Sequence, residues 1–184
     1  MTPSESAYRP RWTMPLSVSV AALGALMLGC EDPPPTGPLI ALDAFEPLNA
    51  VDDPFADHRP EGELCSTGGW GIEAGVFEVE TDICTYATFA QPLLRDIPAG
   101  EELRITLWHL GLFADPPAEG HVVLAVNDHQ LFEVRPSIPA TAEIWDELVA
   151  LDDDLWKGER LLFHIHNHGA NSWRLGEVSG AQAE

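Results

Sequence analysis

Two stretches of similar sequence decide the predicted fold: GEELRITLW at positions 100–108 and GERLLFHIH at positions 158–166. Each begins with a glycine turn and a glutamate, and continues with apolar residues two positions apart. Such alternation is typical of a β-strand with one buried face, because successive side chains of a strand point to opposite sides. The predicted core-facing side chains of these two strands are Leu103, Ile105, Leu107, Leu161, Phe163 and Ile165.

Further short apolar segments, separated by turn residues at regular intervals, favour an all-β sandwich or barrel. Asn127 and Asp128 both tolerate positive φ and predict a tight hairpin turn. Segment 141–151 is ambiguous, because the spacing of Ile144 and Leu148 fits a helix while its alternation slightly favours a strand. With the two central strands included, the predicted strands span residues 76–81, 85–91, 102–110, 121–127, 130–135, 160–168 and 173–178.

The glycine-led entry into the two strands resembles that of jelly-roll and galactose-binding-like modules, over residues 70–178. The resemblance implies an antiparallel, jelly-roll-like β-sandwich. This part of the chain is also similar to lipoproteins of myxobacterial type, a resemblance that implies no particular activity.

The first 29 residues have the features of an export signal. Arg9 and Arg11 precede an uncharged, mostly apolar run at 14–28, which is short for a spanning helix of about 20 residues. The run ends in MLGC at 27–30, which resembles the lipobox of bacterial lipoproteins. That resemblance implies cleavage before Cys30 and a diacylglyceryl anchor on its sulfur. The alternative is an ordinary cleaved signal in which the cysteine is coincidental.

The sequence thus predicts a signal peptide at 1–29, an acidic, Pro-rich tether at 30–62 and a sandwich domain at 63–180. We expect the tether to be disordered and to hold the domain off a membrane of the cell envelope. The domain would face the periplasm or the cell surface.

The charge balance limits the partners. The sequence has 30 acidic and 9 basic residues and a formal charge of −21. Residues 1–29 contain one acidic and two basic residues, so the remainder carries −22. Binding to phosphates needs clustered Lys and Arg, so this composition excludes nucleic acid and anionic headgroups as partners.

Cys65 and Cys84 are the cysteines that remain besides the predicted lipid site. Exported proteins fold in an oxidising compartment, where such a pair usually forms a disulfide. By the chain-entropy model, closing a loop of about 20 residues contributes about 3 kcal/mol. A two-cysteine metal site is the alternative, but no CxxC or CxxH spacing supports it.

Histidines provide one candidate site. On a strand, His164, His166 and His168 lie on the face opposite the core set. Neutral imidazole is a common ligand of Zn and Cu, so the three are candidate metal ligands. The alternative is a structural role, with the rings packed and hydrogen-bonded. The string FHIHNHG at 163–169 resembles segments of copper–zinc superoxide dismutases and multicopper oxidases, but the further ligand segments of those families are absent.

Aromatic and amide side chains provide a second candidate site. Trp108 and His166 occupy equivalent positions in the two similar stretches, so we expect one outward face to carry both. Aromatic rings stack on the apolar faces of sugars while amides bind hydroxyls. The alternative is that the tryptophans lie in the core. The candidate ligand-binding residues are Trp108, His164, His166, Asn167, Asn171 and Trp173.

Other chemistry is weakly supported. The run DDD at 152–154 lacks the glycine and terminal glutamate of an EF-hand loop, so a solvated acidic turn is favoured over a calcium site. The sequence contains no Gly-x-Ser-x-Gly, His-Glu-x-x-His or phosphate-binding glycine loop. It therefore favours a non-catalytic binding or structural module for carbohydrate or another small ligand, without a cofactor. A Zn or Cu protein, enzymatic or not, is the alternative.

Overall fold

A computed structural model of the chain describes residues 38–62 and 65–180. These ranges form two antiparallel five-stranded sheets that enclose one apolar core, which confirms the predicted all-β, jelly-roll-like sandwich. The strands are β1 (Glu46–Pro47), β2 (Trp70–Glu73), β3 (Val76–Glu80), β4 (Tyr86–Pro92), β5 (Glu102–Leu112), β6 (Ala118–Glu119), β7 (His121–Val126), β8 (His129–Val134), β9 (Ser137–Ile138), β10 (Ala140–Ala150), β11 (Arg160–His166) and β12 (Ser172–Gly180). Two short 3-10 helices cover Leu42–Ala44 and Ala56–His58.

The strands are divided between two layers. The first sheet has the order β1-β4-β11-β7-β8, and the second sheet has the order β10-β5-β12-β3-β2. A separate small pair joins β6 to β9. Consecutive strands β4 and β5 belong to different sheets, as do β10 and β11, so the chain crosses repeatedly between the layers.

The core follows the alternation read from the sequence. All six predicted core-facing residues of β5 and β11 are at most 1% exposed, which confirms that prediction. Aromatic rings fill the space between the sheets, with the centroids of Phe77 and Phe89 5.1 Å apart and those of Phe77 and Phe163 6.0 Å apart. Each such side chain contributes about 1.5–3 kcal/mol when fully buried.

Left-handed backbone positions mark the turns. Gly100 and Gly158, which lead into β5 and β11, have φ of 83° and 90°. Only glycine adopts this region without strain, so these residues set where each strand starts. Asn127 has φ of 52° between β7 and β8, and this confirms the predicted hairpin turn.

Segment 141–151 forms a strand, as its alternation slightly favoured. β10 pairs with β5 over its whole length, with Ile144 opposite Trp108 and Leu148 opposite Arg104. A spacing of four residues also returns to the same face of a strand, which explains why the helical pattern was present. In the described ranges β10 is one of the two edge strands of the second sheet, and β2 is the other.

The segment at 38–62 packs onto the sandwich. Leu39, Ile40 and Phe45 are buried in the common core, and β1 pairs with β4. The ring centroids of Phe45 and Phe77 are 4.7 Å apart. The structure therefore differs from the predicted tether in this segment, because a few apolar side chains suffice to dock a Pro- and Asp-rich stretch.

The disulfide prediction is confirmed. Cys65 and Cys84, 19 positions apart, are bonded through their sulfurs. This bond indicates folding in an oxidising compartment outside the cytoplasm. The predicted signal peptide and Cys30 lie outside the described residues. No helix within the described ranges is long and apolar enough to cross a membrane.

Candidate functional site

The outward-facing residues of β5 and β11 lie on opposite sides of the molecule. Trp108 belongs to the second sheet, and the histidines of β11 belong to the first sheet. The expectation that one face carries both is therefore wrong. A repeated local pattern predicts which residues of a strand face the core, but strands of two facing sheets present their other residues in opposite directions.

The outer face of the first sheet is covered by residues of the segment at 38–62. Leu48 and Phe55 pack against a small apolar cluster on that face. The ring of Phe55 is stacked on the imidazole of His164, with the centroids 4.2 Å apart. As a result His164 is fully buried. The apolar cluster consists of Ala90, Val123, Ala125 and Leu162.

Asp53 organises a buried hydrogen-bond network beneath this cover. Thr88 Oγ1 donates to Asp53 Oδ1 at 2.7 Å, and Tyr86 Oη donates to Asp53 Oδ2 at 2.8 Å. Burial raises the pKa of Asp53, but these hydrogen bonds and that of Arg59 outweigh it and leave the pKa below its ordinary value. An ionised carboxylate only accepts, so the Nδ1–H of His164 must donate to Thr88 Oγ1, 2.9 Å away.

The buried imidazole of His164 is neutral. Burial is the main cause that lowers its pKa to about 3, and nearby His121 contributes to the same shift. Its Nε2 is buried and makes no hydrogen bond with any described residue. Between Phe55 and Thr88, His164 has the surroundings of a structural side chain rather than of one that meets a ligand from solvent.

The remaining two histidines of the cluster lie nearer the surface. β11 ends at His166, so His168 stands in the following connection, where it is exposed. The two ring centroids are 5.0 Å apart, beside a cavity of about 190 Å³ that Pro60 and Glu61 also line. Burial lowers the pKa of His166, and His168 adds to this effect.

The three histidines do not converge on one point. Among residues 38–62 and 65–180, the group of three or more His, Cys, Asp or Glu side chains with ligand atoms within 4.8 Å of one another is Glu73, Glu78 and Glu80. The histidine arrangement therefore gives the Zn or Cu alternative no geometric support.

Besides His164, three further predicted ligand-binding residues are internal. Trp173 is fully buried, and its Nε1 donates to Asn167 Oδ1 at 3.1 Å. Asn167 Nδ2 donates to Thr81 Oγ1 at 3.1 Å, and Asn171 Oδ1 accepts from the backbone N–H of Phe113 at 2.6 Å. These amides satisfy buried polar groups around the β11–β12 connection, so they are not available to a ligand at the surface.

Trp108 lies on an open face. It is half-buried, on the outer side of the second sheet, next to a groove of about 480 Å³. Leu110 and Ile144, which line the groove, are 67% and 65% exposed. The groove is lined by Thr106, Trp108, His109, Leu110, Ala142, Glu143 and Ile144.

A glycine on the neighbouring strand makes room for the indole of Trp108. A Cβ added at Gly176 would lie 2.5 Å from Cζ3 of Trp108, so the ring packs directly on the backbone of β12. β12 is irregular here, between Leu175 and Glu177, which shifts its register against β5. The register shift and the absence of a side chain at Gly176 together leave room for the Trp108 ring against this strand.

A polar region adjoins the indole. Across the second sheet, Ile144, Trp108, Arg174 and Glu78 lie opposite one another on successive strands. Arg174 Nη2 and Glu78 Oε1 form an ion pair at 2.6 Å. The face thus changes from apolar at β10 to charged at β3, a combination that suits a ligand with one apolar and several polar groups.

The sequence alone did not reveal most of this face. Ile144 and Arg174 join Trp108 only through strand pairing, which no local pattern encodes. One sequence signal could have identified the groove. If segment 141–151 is a strand, the large apolar side chains of Ile144 and Leu148 lie on its outer side, where they are exposed.

The comparisons with known proteins concern the architecture. No family model matches the sequence, and no curated protein matches it. The structure is similar to a CBM4 carbohydrate-binding module, with a TM-score of 0.43 and 11% identity, covering 69% of this chain and 99% of that chain. It is also similar to TmCBM61 in complex with β-1,4-galactotriose, with a TM-score of 0.39 and 12% identity, covering 70% and 94%.

A third similar structure is the enzymatically active domain of tailspike protein 4 from bacteriophage CBA120. Its TM-score is 0.35 at 12% identity, and the match covers 58% of this chain and 15% of that chain. These similarities describe a shared arrangement of strands and assign no ligand. Fold and site together define the chain as an extracytoplasmic β-sandwich with one covered and one open outer face.

Proposed function

We propose that the protein is a non-catalytic binding module that holds a carbohydrate, or a small ligand of similar shape, against Trp108. The observation that carries this proposal is the open groove beside a half-buried indole on the outer face of the second sheet. A purely structural module is the alternative, and it predicts no ligand.

The surface chemistry supports a sugar. The C–H face of a pyranose ring packs on an indole, while its hydroxyls need hydrogen-bonding partners. Arg174, whose side chain is 20% exposed, supplies such a partner one strand from Trp108. Exposed apolar side chains grouped in one place also mark a contact surface, and Leu110, Ile144 and the indole form such a group.

The module would be displayed from the cell envelope through a lipid on Cys30. The lipobox-like sequence, the disulfide and the strongly acidic composition support this part of the proposal. Labelling of the producing cells with an alkyne fatty acid should mark the wild-type protein and leave a Cys30→Ser variant unmarked. Equal labelling of both proteins would contradict the anchor.

A glycan array tests the binding proposal. The full chain, purified in detergent because of the predicted anchor, should bind a subset of the glycans. Trp108→Ala should abolish that binding, whereas Trp156→Ala, which removes another tryptophan that is 56% exposed, should preserve it. Absence of binding, or equal binding by Trp108→Ala, would count against the proposal.

A further inference from the structure

Three carboxylates of the β2–β3 hairpin lie together at the far end of the open face. Glu78 and Glu80 are two positions apart on β3, and Glu73 ends the paired strand β2. Each offers a carboxylate oxygen within 4.8 Å of those of the other two. They line a cavity of about 170 Å³, into which Gly71 opposite Glu78 projects no side chain.

Glu78 is the buried member of this group, with 3% exposure. Its Oε1 accepts a hydrogen bond from Arg174 Nη2 at 2.6 Å. Its Oε2 is also buried, and no donor among the described residues reaches it. Leaving a buried carboxylate oxygen without a partner is unfavourable, so this atom needs either a proton or a cation.

The charges around the cavity do not balance. Three carboxylates share one guanidinium, that of Arg174, and Ser172 Oγ, which donates to Glu80 Oε1 at 2.6 Å, adds no charge. The cluster therefore favours the binding of a positively charged group.

We propose that Glu73, Glu78 and Glu80 bind one Ca²⁺ ion in this cavity. Ca²⁺ takes six to eight oxygen ligands at about 2.3–2.6 Å, so two oxygens on one ion are separated by at most about 5 Å. The mutual distances of the three carboxylates meet that condition. Backbone carbonyls and waters usually complete such a shell, and Mg²⁺, which keeps more of its waters and a strict octahedron, suits the site less.

The ion would couple the hairpin to the ligand face. It would join β2 to β3 and neutralise the excess charge beside Glu78, which in turn holds Arg174 next to Trp108. Cation binding goes beyond the proposed function and does not depend on it, since the three carboxylates need no carbohydrate to assemble.

Calorimetric titration of CaCl₂ into the EDTA-treated full chain tests the proposal. The wild type should bind one Ca²⁺ per chain, and the double variant Glu73→Gln/Glu80→Gln should lose at least tenfold in affinity. Glu78 is left intact because it pairs with Arg174. A matched control, Asp152→Asn/Asp153→Asn, removes two charges from the exposed acidic turn and should bind as the wild type does.

Circular dichroism establishes that each variant is folded. If the double variant does not fold, the single variant Glu73→Gln, at an exposed position, is titrated instead. It should also lose at least tenfold in Ca²⁺ affinity. Three results would overturn the proposal: no saturable Ca²⁺ binding, unchanged binding by the carboxylate variant, or an equal loss in the Asp152/Asp153 control. Mg²⁺ binding as tight as that of Ca²⁺ would overturn the choice of ion.

Discussion

Acid should lower the free energy of unfolding, and the part of this loss that comes from His164 can be calculated. The pKa of this histidine is lowered from 6.5 to about 3 in the folded protein, chiefly by burial. Below pH 6.5 the unfolded chain takes up a proton here and the folded chain does not. Each further pH unit therefore removes about 1.4 kcal/mol of stability. The loss from His164 alone is about 2 kcal/mol at pH 5 and about 4 kcal/mol at pH 3, where the folded protein also begins to take up the proton.

The variant His164→Asn isolates this contribution. Its amide keeps a donor for Thr88, and the lost stacking on Phe55 lowers the free energy of unfolding by a similar amount at each pH. Urea denaturation at pH 7 and pH 5 gives the stability gap between wild type and variant. The gap should narrow by about 2 kcal/mol at pH 5, because the variant has no imidazole to protonate.

Neighbouring titratable groups are the same in both proteins, so they cancel in the comparison. They are Asp53, His58, His121 and His166. Ile105→Val, which removes one buried methylene from the second sheet and no titratable group, is the control and should leave its gap to the wild type constant between the two pH values. A constant gap for His164→Asn as well would refute the buried, neutral state of this histidine.

Three other changes test separate parts of the structure. Gly176→Ala should displace the indole of Trp108 and weaken ligand binding at least tenfold in a titration. An unchanged affinity would contradict the proposed role of the Trp108 ring position in binding. Trp173→Phe should lower the free energy of unfolding by about 1–3 kcal/mol, because Asn167 Oδ1 loses the indole N–H that donates to it. The affinity for the ligand should not change, and a loss of affinity would indicate that Trp173 contributes to the binding site. Reduction of the disulfide should cost about 3 kcal/mol in urea unfolding, and no change in the midpoint would contradict its stabilising role.

Local sequence patterns predict many of the strands and turns of this fold. The alternation in 100–108 and 158–166 predicted two central strands and their buried faces, because side-chain direction along a strand has a fixed period of two. Asn127 predicted its turn because few residues adopt positive φ. The ambiguity at 141–151 arose because a spacing of four residues satisfies both a helix and a strand.

Long-range pairing accounts for what local pattern could not predict. Nothing in the sequence around Trp108 or His166 shows that their strands join different sheets, so local pattern predicts that the two residues share one face. Similarly, the composition of 38–62 gave little sign that Phe45 enters the core or that Phe55 covers His164.

Buried polar residues explain the other differences in the candidate site. Asn167, Asn171 and Trp173 have the residue types of a sugar site, yet they satisfy internal hydrogen bonds. Residue type alone does not separate these two roles, since the same donors and acceptors serve a hydroxyl of a ligand or a buried backbone group.

The central claim is that Trp108 forms the ligand contact of the open face. Its most direct test is a calorimetric titration of the glycan that ranks highest on the array into wild type, Trp108→Ala and Trp156→Ala. The account predicts saturable binding to wild type and to Trp156→Ala, and an affinity at least tenfold lower for Trp108→Ala, which corresponds to about 1.4 kcal/mol. Equal affinities for all three proteins would contradict it.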